Sequence, residues 1–128
     1  MSAGAALQAA LAARLAAIGE VEVYDGAPAR AAYPYVSLDA GTERDWGHKS
    51  GDGREVMVST TLWHDQPAAL HGLADAVEAA VLGTGSMPGA VAGWQLVSIA
   101  QMRRRIVRDV AGPWAAAIDF RARLLRVG

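Results

Sequence analysis

The length, composition and charge of the chain exclude several classes of protein. With 128 residues, 52% of them hydrophobic, and a formal charge of -1, the chain fits one globular domain over residues 1–128. It is neither a disordered tail nor a generally basic nucleic-acid binder. The absence of cysteine excludes disulfides, thiolate zinc sites and thiol nucleophiles. The alanine-rich N-terminus contains Arg14 and predicts an amphipathic helix, not a signal peptide or a membrane span.

Charge is unevenly distributed along the chain. Residues 1–100 hold five Lys or Arg against eleven Asp or Glu, a balance of -6. Residues 101–128 hold seven Arg against two Asp, a balance of +5. If this asymmetry survives folding, one surface is acidic and another basic, which suits subunits that meet head to tail. The alternative is that the arginines keep the solvent face of a sheet soluble.

The N-terminal part predicts one helix and two strands. Leucines at three- and four-residue spacing predict a helix from Ser2 or Ala3 to Ile18, with Gly19 as its stop. Alternation and turn residues predict strands over 20–25 and 35–43. The charged, glycine-rich stretch 44–53 predicts a mobile hairpin loop, in which Trp46 either marks a contact surface or folds back onto the sheet.

The best defined unit is a strand followed directly by a helix. Residues 54–65 alternate between Val56, Val58, Thr60 and Leu62 on one side and more polar residues on the other, as a half-buried strand does. The run 67–82 carries an apolar stripe at helical spacing. Asp65 or Gln66 occupies the N-cap position, Pro67 suits the first turn, and Gly83 ends the helix.

The C-terminal part predicts two long strands and completes the fold. The strand over 94–109 is expected to place one set of side chains, Trp94, Leu96, Ser98, Ala100 and Met102, on a single face. The strand over 114–124 alternates most regularly in the whole chain. Short connections and alternation together predict an α+β two-layer sandwich, with a mainly antiparallel sheet of about five strands and two helices packed on one face.

Chemical motifs are weak. The cluster of His64, Asp65 and His71 matches no metal-binding spacing and shows no third ligand, so a structural role is favoured. The glycine-rich stretch 83–89 follows a helix and lacks lysine, unlike phosphate and dinucleotide loops. The arginine-rich run 102–108 has no interleaved aromatic residues, which disfavours nucleic-acid binding as the main activity. We therefore predict no cofactor, no metal and no enzymatic activity.

The order of these elements resembles a known family. The features that carry the resemblance are an N-terminal amphipathic helix, Tyr-Pro-Tyr-Val at 33–36, the Trp46 loop, Leu-Trp-His-Asp at 62–65, the helix at 68–77 and the final strand at 117–123. Together they resemble the tail-completion, or tail-terminator, proteins of long-tailed phages and of phage-derived gene transfer agents. The resemblance spans roughly Leu7 to Leu125 and rests on pattern and order, without a diagnostic motif.

The resemblance implies a structural role in a virion or gene transfer agent particle. It implies a non-enzymatic ring, a homo-oligomer that is hexameric in relatives, seated on the head-proximal end of the tail tube near the neck. The ring would stop tube growth and present a surface to a head-side connector or adaptor protein. The partners implied are therefore the tail tube protein and this connector, with DNA only in passage through the channel, no membrane, and assembly in the host cytoplasm.

The family offers no invariant functional residue, so the interface residues are hypotheses. The loop residues Trp46, His48 and Lys49 are predicted to make axial contacts. Intersubunit or channel-facing contacts are predicted for four arginines, which are Arg103, Arg104, Arg105 and Arg108. Two alternatives remain: another head–tail joining component, and a small ligand-binding or enzymatic α+β domain that uses His64, Asp65 and His71.

Overall fold

The structure, a computed structural model, consists of two helices and five strands. It describes residues 1–26, 28, 30–47, 51–108, 110 and 112–127. The elements in chain order are α1 (Ala3–Ala16), β1 (Glu22–Asp25), β2 (Tyr35–Asp45), β3 (Gly53–His64), α2 (Pro67–Gly83), a short 3₁₀ turn (Thr84–Ser86), β4 (Trp94–Arg108) and β5 (Trp114–Arg126). The helices and strands predicted from the sequence are all present, with ends that differ by a few residues.

The five strands form one mainly antiparallel sheet. Their order is β1-β2-β3-β5-β4, with β1 parallel to β2 and every other neighbouring pair antiparallel. The long strands β3 and β5 lie at the centre, where they pair along their whole length. This order places β1 and β4 at opposite edges of the sheet, and it departs from a simple meander because β5 lies between β3 and β4.

Both helices cover the same face of the sheet, and the core lies between the two layers. On α1, Leu7, Leu11 and Leu15 are fully buried because they recur on one side of the helix. Beneath the helices, the sheet contributes Val58, Ile118 and Phe120, among others, to the same buried cluster. The prediction of an α+β two-layer sandwich is therefore confirmed.

The structure decides between the two N-cap candidates that the sequence offered for α2. The N-cap residue is Gln66, whose side chain makes no capping hydrogen bond, and Pro67 begins the helix. The carboxylate of Asp65 instead lies 3.0 Å from Nδ1 of His64. The interpretation of Asp65 as the helix cap is therefore wrong, and the missing proline N–H leaves the first turn with fewer donors to satisfy.

A β-bulge changes the predicted faces of β4. The pairing with β5 shifts between Leu96 and Ser98, so Val97 is an extra residue without its own partner. The bulge reverses the alternation that follows, and Ile99, not Ser98, packs against the core beside Leu96. The predicted common face for Trp94, Leu96, Ser98, Ala100 and Met102 is therefore wrong.

A second bulge precedes the consecutive arginines of β4. The register shifts again between Gln101 and Arg103, which leaves Met102 as the extra residue. Arg103 and Arg105 then point to the face away from the helices, opposite Asp119 and Ala117 on β5, whereas Arg104 points to the helix side. Met102, which has no cross-strand partner of its own, is 49% exposed.

Candidate interaction surface

The sheet face that points away from the helices, called here the outer face, is the main candidate surface. At one end of this face, five residues stand in register across all five strands. In sheet order they are Glu22, Tyr35, Trp63, Ala115 and Val107, and we call this set the terminal row. The sheet pairing aligns them, because each comes from a different one of the five strands.

Aromatic rings cluster at the β1 side of the terminal row. The ring of Tyr35 stacks with that of Trp63 at a centroid distance of 6.3 Å and with that of Tyr33 at 5.8 Å. Tyr24 meets Tyr35 edge to face at 5.9 Å. Burial, followed by the neighbouring Tyr33 and Tyr24, raises the pKa of Tyr35 above its usual value, so this phenol is neutral at neutral pH. Tyr33 is 43% exposed and extends the cluster toward solvent.

An apolar hollow continues the terminal row toward β4. Its volume is about 310 Å³, and it is open to solvent. Its walls are made by Thr61, Trp63, Arg105, Val107, Ala115 and Ala117. Small alanine side chains at the centre of a sheet leave room for a side chain from another molecule, and aromatic walls favour its burial.

The other end of the outer face is held by ion pairs. Glu55 is only 5% exposed, and its carboxylate lies 2.8 Å from Nε of Arg44 and 3.0 Å from Nε of Arg123. The hydrogen bond from Arg123 lowers the pKa of Glu55, with Arg44 acting in the same direction. This carboxylate therefore remains ionised at neutral pH and ties β2, β3 and β5 together.

Trp46 lies against this charged end. Its ring is half-buried, with the guanidinium of Arg123 5.5 Å from the ring centroid. The backbone N–H of Trp46 donates to the carbonyl oxygen of Gly53 at 2.9 Å, and this hydrogen bond continues the pairing of β2 and β3. Of the two readings of Trp46, the geometry matches the one in which the ring folds back onto the sheet. His48 and Lys49, predicted with it, lie outside the described residues.

The four predicted arginines do not form one patch. Arg104 points to the helix side, where Nη2 lies 2.9 Å from Asp75 Oδ1 on α2. The guanidinium of Arg108 lies over the ring of Trp114, 5.5 Å from the ring centroid. Arg103 and Arg105 are exposed on the outer face. Of the four predicted arginines, only Arg103 and Arg105 therefore lie together on the open outer face.

Ion pairs within the chain offset much of the charge asymmetry. Arg123 pairs with Glu55, Arg126 with Asp52 at 3.1 Å, and Arg104 with Asp75. In each pair a C-terminal arginine meets a carboxylate from the acidic part of the chain. The acidic and basic halves of the sequence therefore do not become an acidic and a basic half of the molecule, and only smaller regions remain charged.

The histidine cluster is not assembled into a site. Nδ1 of His64 lies 3.0 Å from Asp65 and accepts from the amide of Gln66 at 3.1 Å, so its contacts belong to the turn into α2. His71 is exposed on α2, and no hydrogen bond connects it to this pair within the described part of the chain. Across residues 1–26, 28, 30–47, 51–108, 110 and 112–127, no three His, Asp or Glu side chains are grouped to hold a metal ion.

The aromatic cluster is the feature that the sequence analysis missed. Tyr35 and Trp63 occupy the alternate positions of strands whose other residues, such as Val36 and Leu62, are buried. That parity was readable in the sequence and indicates an outward-facing aromatic pair. Their alignment with Ala115 required the strand order.

Of the helices in the described part of the chain, none has the length and apolar character needed to cross a membrane.

These features define a class of protein: a small two-layer α+β domain with one sheet face under helices and the other open. A similar chain occurs in a solved structure, "Virion of native gene transfer agent (GTA) particle", with 27% identity, a TM-score of 0.69, and coverage of 97% of this chain and 98% of that chain. Residues 5–125 match the family described as Tail completion protein gp17. The protein belongs to this family, whose members are structural proteins of the virion. Among curated proteins there is no significant match.

Proposed function

We propose that the protein forms a hexameric ring at the head-proximal end of a tail tube. In this proposal the ring stops tube polymerisation and provides the docking surface for a head-side connector. Its place is near the neck of a phage or gene transfer agent particle, after assembly in the host cytoplasm. Membership of the tail completion family and similarity over nearly the whole chain to a gene transfer agent virion protein support it.

The observation that carries the proposal is the open outer face. Tyr35 and Trp63 form an aromatic surface there, and the adjoining hollow of about 310 Å³ is lined mainly by apolar groups. Aromatic residues beside small apolar ones are typical of protein interfaces. A structural role uses this surface directly, whereas the histidine cluster that an enzymatic role would need is not assembled.

A ring explains how growth stops. Subunits that meet through two different surfaces close into a ring when the rotation between them completes a circle. One side of the ring then matches the end of the tube. The opposite side does not reproduce the surface to which tube subunits add, so no further tube subunit binds. This mechanism requires contacts and shape, without a chemical step.

The first test is the solution mass by light scattering, alone and with purified tail-tube protein. A species near 80 kDa, which is about six chains of 13.3 kDa, supports the proposal. A monomer that assembles only on tube ends and fixes their length in electron micrographs supports it equally. A monomer or dimer that is indifferent to the tube protein would contradict it.

A matched pair of substitutions tests the outer face. Ala117→Glu places a charged side chain in the apolar hollow, and Ala79→Glu places the same side chain on the exposed side of α2. We expect Ala117→Glu to abolish assembly or tube capping, because a charge would have to be desolvated at the contact. Ala79→Glu is expected to behave as wild type. Equal behaviour of the two folded variants would contradict a role for the outer face.

A further inference from the structure

Two exposed arginines mark the β4 edge of the outer face. Arg103 and Arg105 make no ion pair with any described residue, whereas seven carboxylates among the described residues pair with other arginines or with histidine. Exposed apolar side chains flank them on β4, since Met102 is 49% exposed and Val107 is 42% exposed. We define the β4 edge as these four residues. Exposed apolar side chains and arginines side by side are typical of a protein contact, in which arginine is enriched.

Two exposed carboxylates mark the opposite edge of the sheet. Glu20 and Glu22 form no ion pair within the part of the chain that the structure describes. They line a shallow hollow of about 220 Å³ together with Tyr33, which is exposed, and Pro34. We define the β1 edge as Glu20, Glu22 and Tyr33. Its charge is opposite to that of the β4 edge, and it also offers an exposed apolar surface.

The two edges are at matching heights along the strands. Glu22 and Val107 are the two end members of the terminal row, which crosses the whole sheet in register. Arg105 lies in the next row on the same face, since it pairs with Ala117 two residues along β5 from Ala115. Two residues along a strand correspond to about 7 Å. A neighbouring sheet placed edge to edge would thus bring Glu22 within side-chain reach of Arg105.

We propose that the β4 edge of one subunit binds the β1 edge of a second copy of this chain. The contact is heterologous, since it joins two different surfaces, and repetition of it leads around a ring. Arg105 faces Glu22 of the neighbour, with Arg103 and Glu20 farther along the strands on either side of this pair, and Val107 lies nearest to the apolar surface of Tyr33. This inference rests on the proposed ring and specifies its subunit interface.

A second copy fits the β4 edge better than nucleic acid does. Arg104 and Arg108 alternate to the helix side of β4, where they contact Asp75 and Trp114. Only two cations remain beside Met102 and Val107, and apolar side chains gain nothing from phosphate. Glu22, in the row next to that of Arg105, supplies the complementary charge within the chain itself.

The test uses charge reversal at each edge. The first variant carries R103E and R105E, and the second carries E20R and E22R. Each variant alone has like charges at both sides of every contact, so we expect monomers by light scattering where wild type assembles. The concentration for half assembly should rise by about tenfold or more. H71E on the exposed side of α2 is the control for a charge change away from both edges.

Recombining the variants makes the test specific. In a mixture of the two, negative β4 edges meet positive β1 edges and the remaining contacts are wild type, so alternating rings should form. The quadruple variant has both edges reversed and should assemble by itself. Circular dichroism checks that each variant is folded. Rescue in both cases supports the proposed contact, because misfolding or loss of an unrelated contact would not be repaired by a second reversal.

The outcomes separate this inference from the proposed function. If wild type caps tubes and all variants assemble as wild type, the edge contact is wrong and the ring proposal stands. If each single-edge variant fails and neither the mixture nor the quadruple variant recovers, the charge pairing is wrong. DNA binding by wild type that R103E/R105E removes, without any change in assembly, would assign the β4 edge to nucleic acid instead. A wild-type protein that never assembles overturns both proposals.

Discussion

Alanine at Gly53 is expected to destabilise the hairpin that holds Trp46. A Cβ atom at this position would lie 2.5 Å from the carbonyl oxygen of Trp46 and 3.0 Å from Cδ2 of Leu125. The closest atom belongs to the backbone, so it cannot be relieved by a side-chain rotation. The backbone N–H of Trp46 also donates to the carbonyl oxygen of Gly53. The clash would therefore weaken the hydrogen bonding between β2 and β3 at this end of the hairpin.

Gly51 provides the matched control. A Cβ atom there would meet Cδ2 of Leu125 at 3.8 Å, an ordinary contact distance. Both substitutions gain about 0.4–1 kcal/mol by restricting the unfolded chain, and this gain cancels in the comparison. Overpacking costs about 1–3 kcal/mol. In a chain of this length each kcal/mol corresponds to about 3–5 °C, so Gly53→Ala should melt about 3–15 °C below Gly51→Ala.

Thermal unfolding followed by far-ultraviolet circular dichroism measures this difference. Urea titration of both variants checks that the transition is two-state and gives the free energy directly. If the two variants melt within about 1 °C of each other, the close approach of Gly53 to the Trp46 carbonyl does not constrain the fold. The reasoning that places Trp46 as a packed part of the sheet would then be wrong.

Two further predictions concern the pH dependence and the core. Because the pKa of Glu55 is lowered from its ordinary 4.5, its ionised form stabilises the fold above that pH, and the contribution is lost as the pH falls through the folded-state pKa. The difference in melting temperature between wild type and Glu55→Gln should therefore be largest near pH 7 and shrink in acid; a difference independent of pH would contradict the ion bridge. Phe120→Ala removes a side chain with 0% exposure and should cost about 3–5 kcal/mol in urea titrations, whereas a loss below about 1 kcal/mol would show that the core closes around the gap.

The sequence alone determined the type and approximate bounds of every helix and strand. In β5, the alternation from Trp114 to Leu124 matches the observed burial, and Pro67 begins α2 as its chemistry requires. These features depend on local backbone preferences and on the periodicity with which a helix or strand presents one side to the core. Both can be read from residues that are neighbours in the chain. The α+β class follows from the order of such elements.

The faces of β4 could not be read in the same way. A bulge depends on how one strand matches its partner, and neither Val97 nor Met102 differs in type from residues that pair normally. One extra residue reverses the side chains beyond it, because the alternation has a period of two. The first bulge therefore reverses residues 98–101, and the second restores the original alternation, so that Arg104 lies on the helix side between Arg103 and Arg105 on the outer face.

The candidate surfaces were likewise decided by tertiary structure. The sequence identified the charged and aromatic residues, but not which of them meet: Glu55 binds Arg123, 68 residues away, and Tyr35 aligns with Ala115 only through β3. The order β1-β2-β3-β5-β4 then placed Glu22 and Arg105 at opposite edges. Strand order results from the burial of one face by the whole chain, a non-local free energy to which no short stretch of sequence gives access.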